Sequence, residues 1–525
     1  MKNTLEKYGL PVLSGILLSW AFPRFHWFWL AWVGLVPLFW TALRSNPRGA
    51  AGQFFLAGWV FHSLLLQWLW ANIFWAGGWA ILGQQLLCVL LALHWAAVGF
   101  IWIWLIRRHP DKPMTFAMPL LWWGMEWLIA NWFSGFGWSA LGYTQGACLP
   151  IAQWAAESSV SVISMLVVFV NLLLTLAVFE RPRLVRLAMA GALMAIILGG
   201  GYLSLMSAGP RPDGAKLQPF KVGLVQPSLS QEIKWDRDFN EFIENMLETQ
   251  TRALSKEGPL DLVVWPEAAV PGDLSSKKTM EPLRQLTRDT GASLLTGITR
   301  DDLKTQKSYN SACLLTPQGE VTGVYDKVHL APFGEYVPFG QWLPFLRSIA
   351  FGGVDAGTEL KVFQVGDHKA GPLICFEVLF TPLAKELKRQ GADFLVVMTN
   401  LAWFGQSNAM LQELEMARFR AIETGLPMIH CGNTGISGVF DGSGRFAPVS
   451  AYARRDGSLM QYPVDRMTPA MVQSQRLVGT FTLPPPVTGY PLEGFIVFFI
   501  YCAIIGFVER RFICQPHNDK NKRKQ

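Results

Sequence analysis

The sequence predicts a multi-span α-helical membrane bundle followed by an α/β domain, and three observations carry that prediction. Apolar runs near the ~20 residues needed to cross a bilayer crowd the stretch 9–206. Nineteen of the 23 tryptophans lie before Glu157, so the residues that favour membrane interfaces are concentrated in that same stretch. From about Leu217 onward, β-branched runs bounded by Gly, Pro, Asn or Asp alternate with segments of helical spacing. A chain of 525 residues exceeds one ordinary domain, and its 51% hydrophobic against 16% charged residues, with mean hydropathy +0.25, points to an integral membrane protein.

Taken in order, the apolar runs are roughly Gly9–Phe22, Trp27–Leu43, Phe54–Trp75, Trp79–Ile106, Met114–Phe133, Ser158–Phe179 and Leu184–Met206, with an eighth over Gly494–Val508. Lys2 and Lys7 precede the first run as in a signal peptide. No small-residue cleavage site follows and another span begins at once, so the run is expected to stay as an anchor. Basic residues then fall in alternate loops: Arg44 and Arg48; Arg107, Arg108 and Lys112; Arg181, Arg183 and Arg186. The loops around 76–78 and 134–157 carry none. By the positive-inside rule the basic loops and the tail Arg510–Lys524 are cytoplasmic, and seven spans place residues 209–488 on the outer face. The expected organisation is a bundle over 1–208, an extracytoplasmic domain over 209–488, and a last span with a basic tail over 489–525. The net charge of +7 reads as a topology signal, and the soluble half lacks the basic and aromatic interleaving that a nucleic-acid partner would require. Within the fifth run Glu126 would be costly against lipid, so it is expected to face protein or water.

In the second half, Phe220–Val225, Leu260–Trp265, Ser293–Thr296, Ser311–Thr316, Gly371–Phe376 and Asp393–Thr399 read as strands. Glu241–Ser255, Pro282–Thr290, Thr381–Gln390 and Met410–Thr424 read as helices. Mixed sheet with helices outside is the expected class, and periodicity leaves the fold within that class open. The seven cysteines show no CxxC pairing and no matching histidines, which argues against a disulfide framework or structural zinc.

Three reactive side chains stand beside predicted strand ends. Glu267 closes Leu262-Val263-Val264-Trp265-Pro266-Glu267, Lys327 closes Val324-Tyr325-Asp326-Lys327, and Cys375 lies in Gly371-Pro372-Leu373-Ile374-Cys375-Phe376-Glu377. A thiol nucleophile needs a base to take its proton and a cation to favour the anion formed on attack, and this set supplies both without metal or cofactor. Each residue alone has a plainer reading: a solvated carboxylate, a surface lysine, a strand-core cysteine. Cys431, the rival thiol in Ile429-His430-Cys431-Gly432-Asn433, has no carboxylate following it.

Taken together, Trp-Pro-Glu, then Tyr-x-Lys followed by Pro-Phe-Gly-Glu, then Cys-x-Glu resemble the Glu-Lys-Cys set of the nitrilase superfamily. Attached to a bundle of spans, the set resembles the apolipoprotein N-acyltransferase family, from about Trp20 to about Phe507. The resemblance implies an αββα sandwich, with Glu267 as general base, Cys375 as the nucleophile that holds an acyl group as thioester, and Lys327 stabilising the oxyanion. It further implies that Glu335 orients Lys327. Glu377 would return to the face of Cys375 if the strand continues. Trp235 matches a family tryptophan near substrate entry, where an exposed or packing role competes. At Tyr309, Asn310 and Asn433–Ser437 turn-forming roles compete evenly with site-forming ones. Trp403 and Phe404, with the segment 339–351, carry aromatics suited to loops that close over the site.

In the first half Glu126, Gly142-Tyr143-Thr144-Gln145 and Gln153 resemble the family's membrane part, expected to hold the soluble domain and shape a lipid-accessible groove. Leu401, Leu426 and Gly137 depart from residues usual in the family and bear on loop geometry, acyl-chain preference and acceptor. The implied partners are a membrane phospholipid as acyl donor and a diacylglyceryl-modified apolipoprotein as acceptor, with a monomeric enzyme in a bacterial inner membrane and its catalytic domain in the periplasm. A hydrolase of small soluble amides or nitriles would not need eight spans. A transporter would want ionisable residues recurring through several of them, where only Glu126 stands out beside His62 and His94.

Overall fold

The computed structural model describes residues 5–72, 77–179, 183–209, 219–338, 353–405, 407–449, 451–453, 459–461, 477–484 and 487. These lie in one compact unit, Met1–Thr488. The expected eighth span, the basic tail and the segment 339–351 fall outside the described residues.

The first half is helical: α1 (Leu10–Ala21), α2 (Val36–Ala42), α3 (Pro47–Leu65), α4 (Trp79–Arg108), α5 (Met118–Asn131), α6 (Val160–Phe179) and α7 (Arg183–Ser207). Among the described residues three of these, α4, α6 and α7, are long and apolar enough to cross a membrane. The run expected over Trp27–Leu43 is not one helix but a 3₁₀ turn, Phe28–Trp32, followed by the short α2. The break is stabilised from α6. Asn171 accepts from the Leu35 N–H at 2.9 Å and donates to the Ala31 carbonyl at 2.8 Å, satisfying backbone groups that a continuous helix would have paired. The third helix begins at Pro47 rather than near Phe54. The Asn46 side chain caps it by accepting from the Gly49 N–H at 2.7 Å, and Pro47 occupies the first helical position, where no N–H is missed. Glu126 is buried within the protein, accepting from the Trp122 indole at 2.9 Å and the Leu141 N–H at 3.0 Å.

The second half holds fourteen strands among the described residues: β1 (Lys221–Gln226), β2 (Leu262–Val264), β3 (Ser293–Asp302), β4 (Lys307–Leu315), β5 (Val321–Asp326), β6 (Phe363–Val365), β7 (His368–Ile374), β8 (Phe394–Thr399), β9 (Met428–Gly432), β10 (Gly438–Phe440), β11 (Phe446–Pro448), β12 (Ala451–Ala453), β13 (Leu459–Gln461) and β14 (Leu477–Thr482). They form an eight-stranded sheet ordered β13-β12-β14-β1-β2-β3-β4-β5 and a six-stranded sheet ordered β11-β10-β9-β8-β7-β6. Strand alternation builds the layers. Leu262 and Val264 of β2 and Phe394, Val396 and Met398 of β8 share the core between the sheets. Val263, between them on β2, turns outward to a second core with Ile243, Leu247, Met280 and Leu283. That outer layer is α8 (Asn240–Lys256) and α9 (Lys277–Thr290), while α10 (Thr381–Arg389) and α11 (Ala409–Thr424) cover the other sheet. The order helix, sheet, sheet, helix is the αββα sandwich.

Direction then assembles one functional edge. β1, β2 and β3 run parallel, as do β7, β8 and β9. Two antiparallel steps, β3 to β4 and β4 to β5, return β5 to the direction of β2. Glu267 follows the C-terminal end of β2, Lys327 that of β5 and Cys375 that of β7. Side chains just past the C-termini of parallel strands face the crevice where α/β folds place ligands.

The two halves are joined through α11, buried along nearly its whole length. Gln412 accepts from the indoles of Trp68 at 3.1 Å and Trp138 at 2.6 Å, and donates to the carbonyls of Pro23 and Leu65, both at 3.3 Å. Two turns on, Arg420 donates to Tyr143 at 3.2 Å and pairs with Glu423, which accepts from the Val160 N–H at 2.8 Å. Gln153 donates to the Ser443 carbonyl at 3.0 Å. Tyr143 and Gln153, singled out in the sequence, therefore both bear on the sandwich half.

Candidate active site

The loop that carries Glu267 crosses β3 at Gly297. A Cβ there would lie 2.3 Å from the Ala268 nitrogen and 2.7 Å from the Glu267 Cα, so only glycine lets the loop pass so close. The Gly297 N–H donates to the Pro266 carbonyl at 3.2 Å, and Trp265 is pinned through its indole to Thr251 at 3.0 Å. Lys234 donates to the Glu267 carbonyl at 2.8 Å from the other side. The Glu267 carboxylate is thus presented by a rigid turn.

Lys327 is buried with its Nζ 2.8 Å from Glu335 and 3.6 Å from Glu267. Burial alone would lower its pKa, but the carboxylates of Glu335 and Glu267 outweigh that and hold it above the usual lysine value, so it stays an ammonium. Glu335, itself largely buried, is held below the usual carboxylate range by Lys327 and by hydrogen bonds from the Ala331 N–H and Asn310. Asn310 bridges the two acids, donating to Glu267 at 2.7 Å and to Glu335 at 3.0 Å. Its neighbour Tyr309 points to the opposite face of β4. There it lies 4.2 Å under the Arg300 guanidinium, away from the carboxylates.

Cys375 follows β7 with φ +52°, a left-handed conformation that a non-glycine residue rarely adopts, and begins a 3₁₀ turn, Cys375–Leu379. The turn lifts the thiol off the strand. Burial and the nearby Glu267 charge push the thiol pKa up, against the pull of Lys327. The resting group is therefore a thiol that needs a base. Because the strand stops at Ile374, Glu377 does not return to the face of Cys375. Its carboxylate accepts from Tyr325 at 2.6 Å, from the N–H groups of Val328 at 2.9 Å and His329 at 3.1 Å, and from Ile374 at 2.8 Å. It clamps the segment after Lys327 to the strand before Cys375.

Trp235 is 55% exposed, with its indole bonded to Gln231 at 2.6 Å. Phe404 packs edge-on against Trp68 at 4.6 Å, so the Leu401–Phe404 turn, which also carries Trp403, meets the helical half. The loop after α5 reaches the flank of Cys375: the Ser134 carbonyl lies 2.6 Å from the His329 ring, which packs tilted on Phe380 at 3.7 Å beside Phe376. Cys431 is fully buried between the sheets, its sulfur against the Val264 and Val225 carbonyls.

Two ionisable groups beside the trio were not anticipated from sequence. Lys234 is buried and brought down to about 8 by desolvation, with Glu267 and Cys375 opposing. Glu413, on α11, is buried within electrostatic reach of Cys375, Glu267 and Lys327. The signal available was a charge at helical spacing with Met416, Ala417 and Arg420 on a face that turns out to be core.

The Carbon-nitrogen hydrolase family model matches residues 221–468, and the Apolipoprotein N-acyltransferase N-terminal domain model matches 14–173. Among solved structures, Saccharomyces cerevisiae Nit3, described as a member of branch 10 of the nitrilase superfamily, aligns at 20% identity and TM-score 0.37, covering 50% of this chain and 90% of that one. An amidase from Nesterenkonia sp. aligns at 19% and 0.35, covering 50% and 90%. The apolipoprotein N-acyltransferase of Geobacter metallireducens is 33% identical over 83% of this chain and 85% of its own. That of Haemophilus influenzae is 30% identical over 84% and 86%, and that of Coxiella burnetii 28% identical over 94% and 99%. The chain therefore belongs to the apolipoprotein N-acyltransferase family of the nitrilase superfamily.

Proposed function

We propose that this protein transfers an acyl chain from a membrane phospholipid to the α-amino group of the diacylglyceryl-cysteine of an apolipoprotein, through a thioester on Cys375. The observation that carries this reading is the convergence of Cys375, Glu267 and Lys327 at one edge of a sandwich whose helix α11 is bonded to an apolar helical half. Glu267 takes the thiol proton as Sγ attacks the ester carbonyl. Lys327, held cationic by Glu335, faces the developing oxyanion, joined by the Phe376 N–H in the first turn of a 3₁₀ segment. Collapse of the tetrahedral intermediate breaks the C–O bond, and the proton on Glu267 leaves with the lysophospholipid alkoxide. The acceptor amine then attacks the thioester, and its proton returns through Glu267 to Sγ.

The alternation of basic and uncharged loops in the first half supports a catalytic domain on the periplasmic face of an inner membrane, where donor and acceptor both lie in the bilayer. The first test is the mass of the intact protein after incubation with phospholipid. An increment of one acyl chain on the wild type and none on Cys375→Ser is expected. An unmodified wild type under conditions of phospholipid turnover would reject the thioester.

A further inference from the structure

The carboxylates at the site differ in how far their oxygens are engaged. Glu267 and Glu335 share Asn310 and Lys327, and Glu377 is filled by a hydroxyl and three backbone N–H groups. Glu413 is 1% exposed and neither of its oxygens has a hydrogen-bond partner. Among the described residues no other buried carboxyl leaves both oxygens unpaired. Thr399 lies against both Glu413 and the thiol, yet its hydroxyl meets neither at hydrogen-bonding geometry. Leaving a buried polar group unpaired is costly, so such a group beside a reacting atom awaits a donor.

The two substrates differ in what they could bring. A phospholipid ester brings a carbonyl and an alkoxide, both acceptors. The second substrate brings a primary amine, which at neutral pH is an ammonium with three N–H donors and a pKa near 7.7–8.0 when unperturbed. We infer that Glu413 is the acceptor-binding group of the second half-reaction, receiving the α-ammonium beside the thioester and taking one proton from it. The inference rests on the thioester reading above. Its place suits the task, because Gln412, the preceding residue, is bonded to Trp68, Trp138, Pro23 and Leu65, so the foot of α11 is fixed before any acceptor arrives. Desolvation pushes Glu413 up to about 8, with Glu267 adding to the rise and Lys327 opposing it, so the carboxyl is neutral during acylation and does not oppose ionisation of the thiol.

The protons balance. As the cation docks, the proton on Glu413 leaves to solvent and an ion pair forms. One ammonium proton then passes to the carboxylate, giving a neutral acid and a free amine. The amine lone pair forms the C–N bond, the C–S bond breaks, and the second N–H proton reaches Sγ through Glu267.

The test uses the full chain in detergent or bilayers, preloaded with acyl donor, and compares wild type with Glu413→Gln. Two nucleophiles are offered: a diacylglyceryl-cysteine peptide with a free amino terminus, and hydroxylamine, which is largely uncharged near neutral pH. The variant should form the acyl-enzyme and release acyl hydroxamate at close to the wild-type rate, while release to the peptide falls on the order of 100-fold. Equal slowing with both nucleophiles would reduce Glu413 to a structural part, and no slowing with the peptide would remove it from the reaction. Either result overturns the inference. A wild type that never loads its thiol would instead overturn the thioester reading beneath it.

Discussion

At the scale of single residues, the charges around Cys375 set its reactivity apart from its proposed part in catalysis. Burial and Glu267 raise the thiol and Lys327 lowers it, so the thiolate forms only above the ordinary thiol value of about 8.5. The rate of alkylation by iodoacetamide should therefore still be climbing with pH past that value, and a plateau below pH ~7 would contradict the electrostatics. Glu267→Gln removes a like charge, so at fixed pH it should speed alkylation while suppressing acyl loading from phospholipid. Lys327→Ala should slow both. Cys431→Ala should leave loading intact, since that sulfur is sealed between the sheets. The meeting of Glu267, Lys327 and Cys375 was legible because three motifs matched jointly in order. Asn310 was legible only as a position, because separating it from Tyr309 required knowing which face of β4 each presents. Lys234 and Glu413 were not legible, since a single sequence does not reveal that the charged residues of α11 point into protein.

At the scale of elements, α11 works as the bolt between the halves, and its bonds can be broken singly. Gln412→Ala leaves the Trp68 and Trp138 indoles without their acceptor, which should cost about 1–3 kcal/mol in unfolding measurements. Arg420→Met strands Glu423 with no exposed surface, a loss of about 3–5 kcal/mol. Gly297→Ala should abolish acyl loading, because the new methyl would push the Glu267 turn away. Normal loading by that variant would mean the turn is softer than its contacts imply. The long strands and helices of the sandwich could be read from periodicity. Strands β6 and β9 to β14 could not; five of them, β6 and β10 to β13, are three-residue strands held by pairing partners rather than by local preference. The split of the second apolar run into a turn and α2 also escaped, because the Asn171 side chain that stabilises it comes from a helix more than a hundred residues away.

At the scale of the whole molecule, the proposed reaction joins a bilayer substrate to a site on the sandwich. The basic loops predict that a reporter fused near Gly214 reads as external and one after Lys524 as cytoplasmic. A cytoplasmic reading near Gly214 would put the site on the wrong side for the proposed acceptor. The central claim is transfer rather than hydrolysis, which turns on whether water or an amine reaches the thioester. Its most direct test loads Cys375 with acyl chain, removes excess donor, and follows the mass of the intact protein alone, with a diacylglyceryl-cysteine peptide, and with the same peptide acetylated at its amine. The account predicts an adduct that persists in buffer and with the acetylated peptide but is discharged by the free amine, with the acyl chain recovered on the peptide. Rapid loss in buffer, unchanged by the free amine, would contradict it and make the protein a membrane lipid hydrolase.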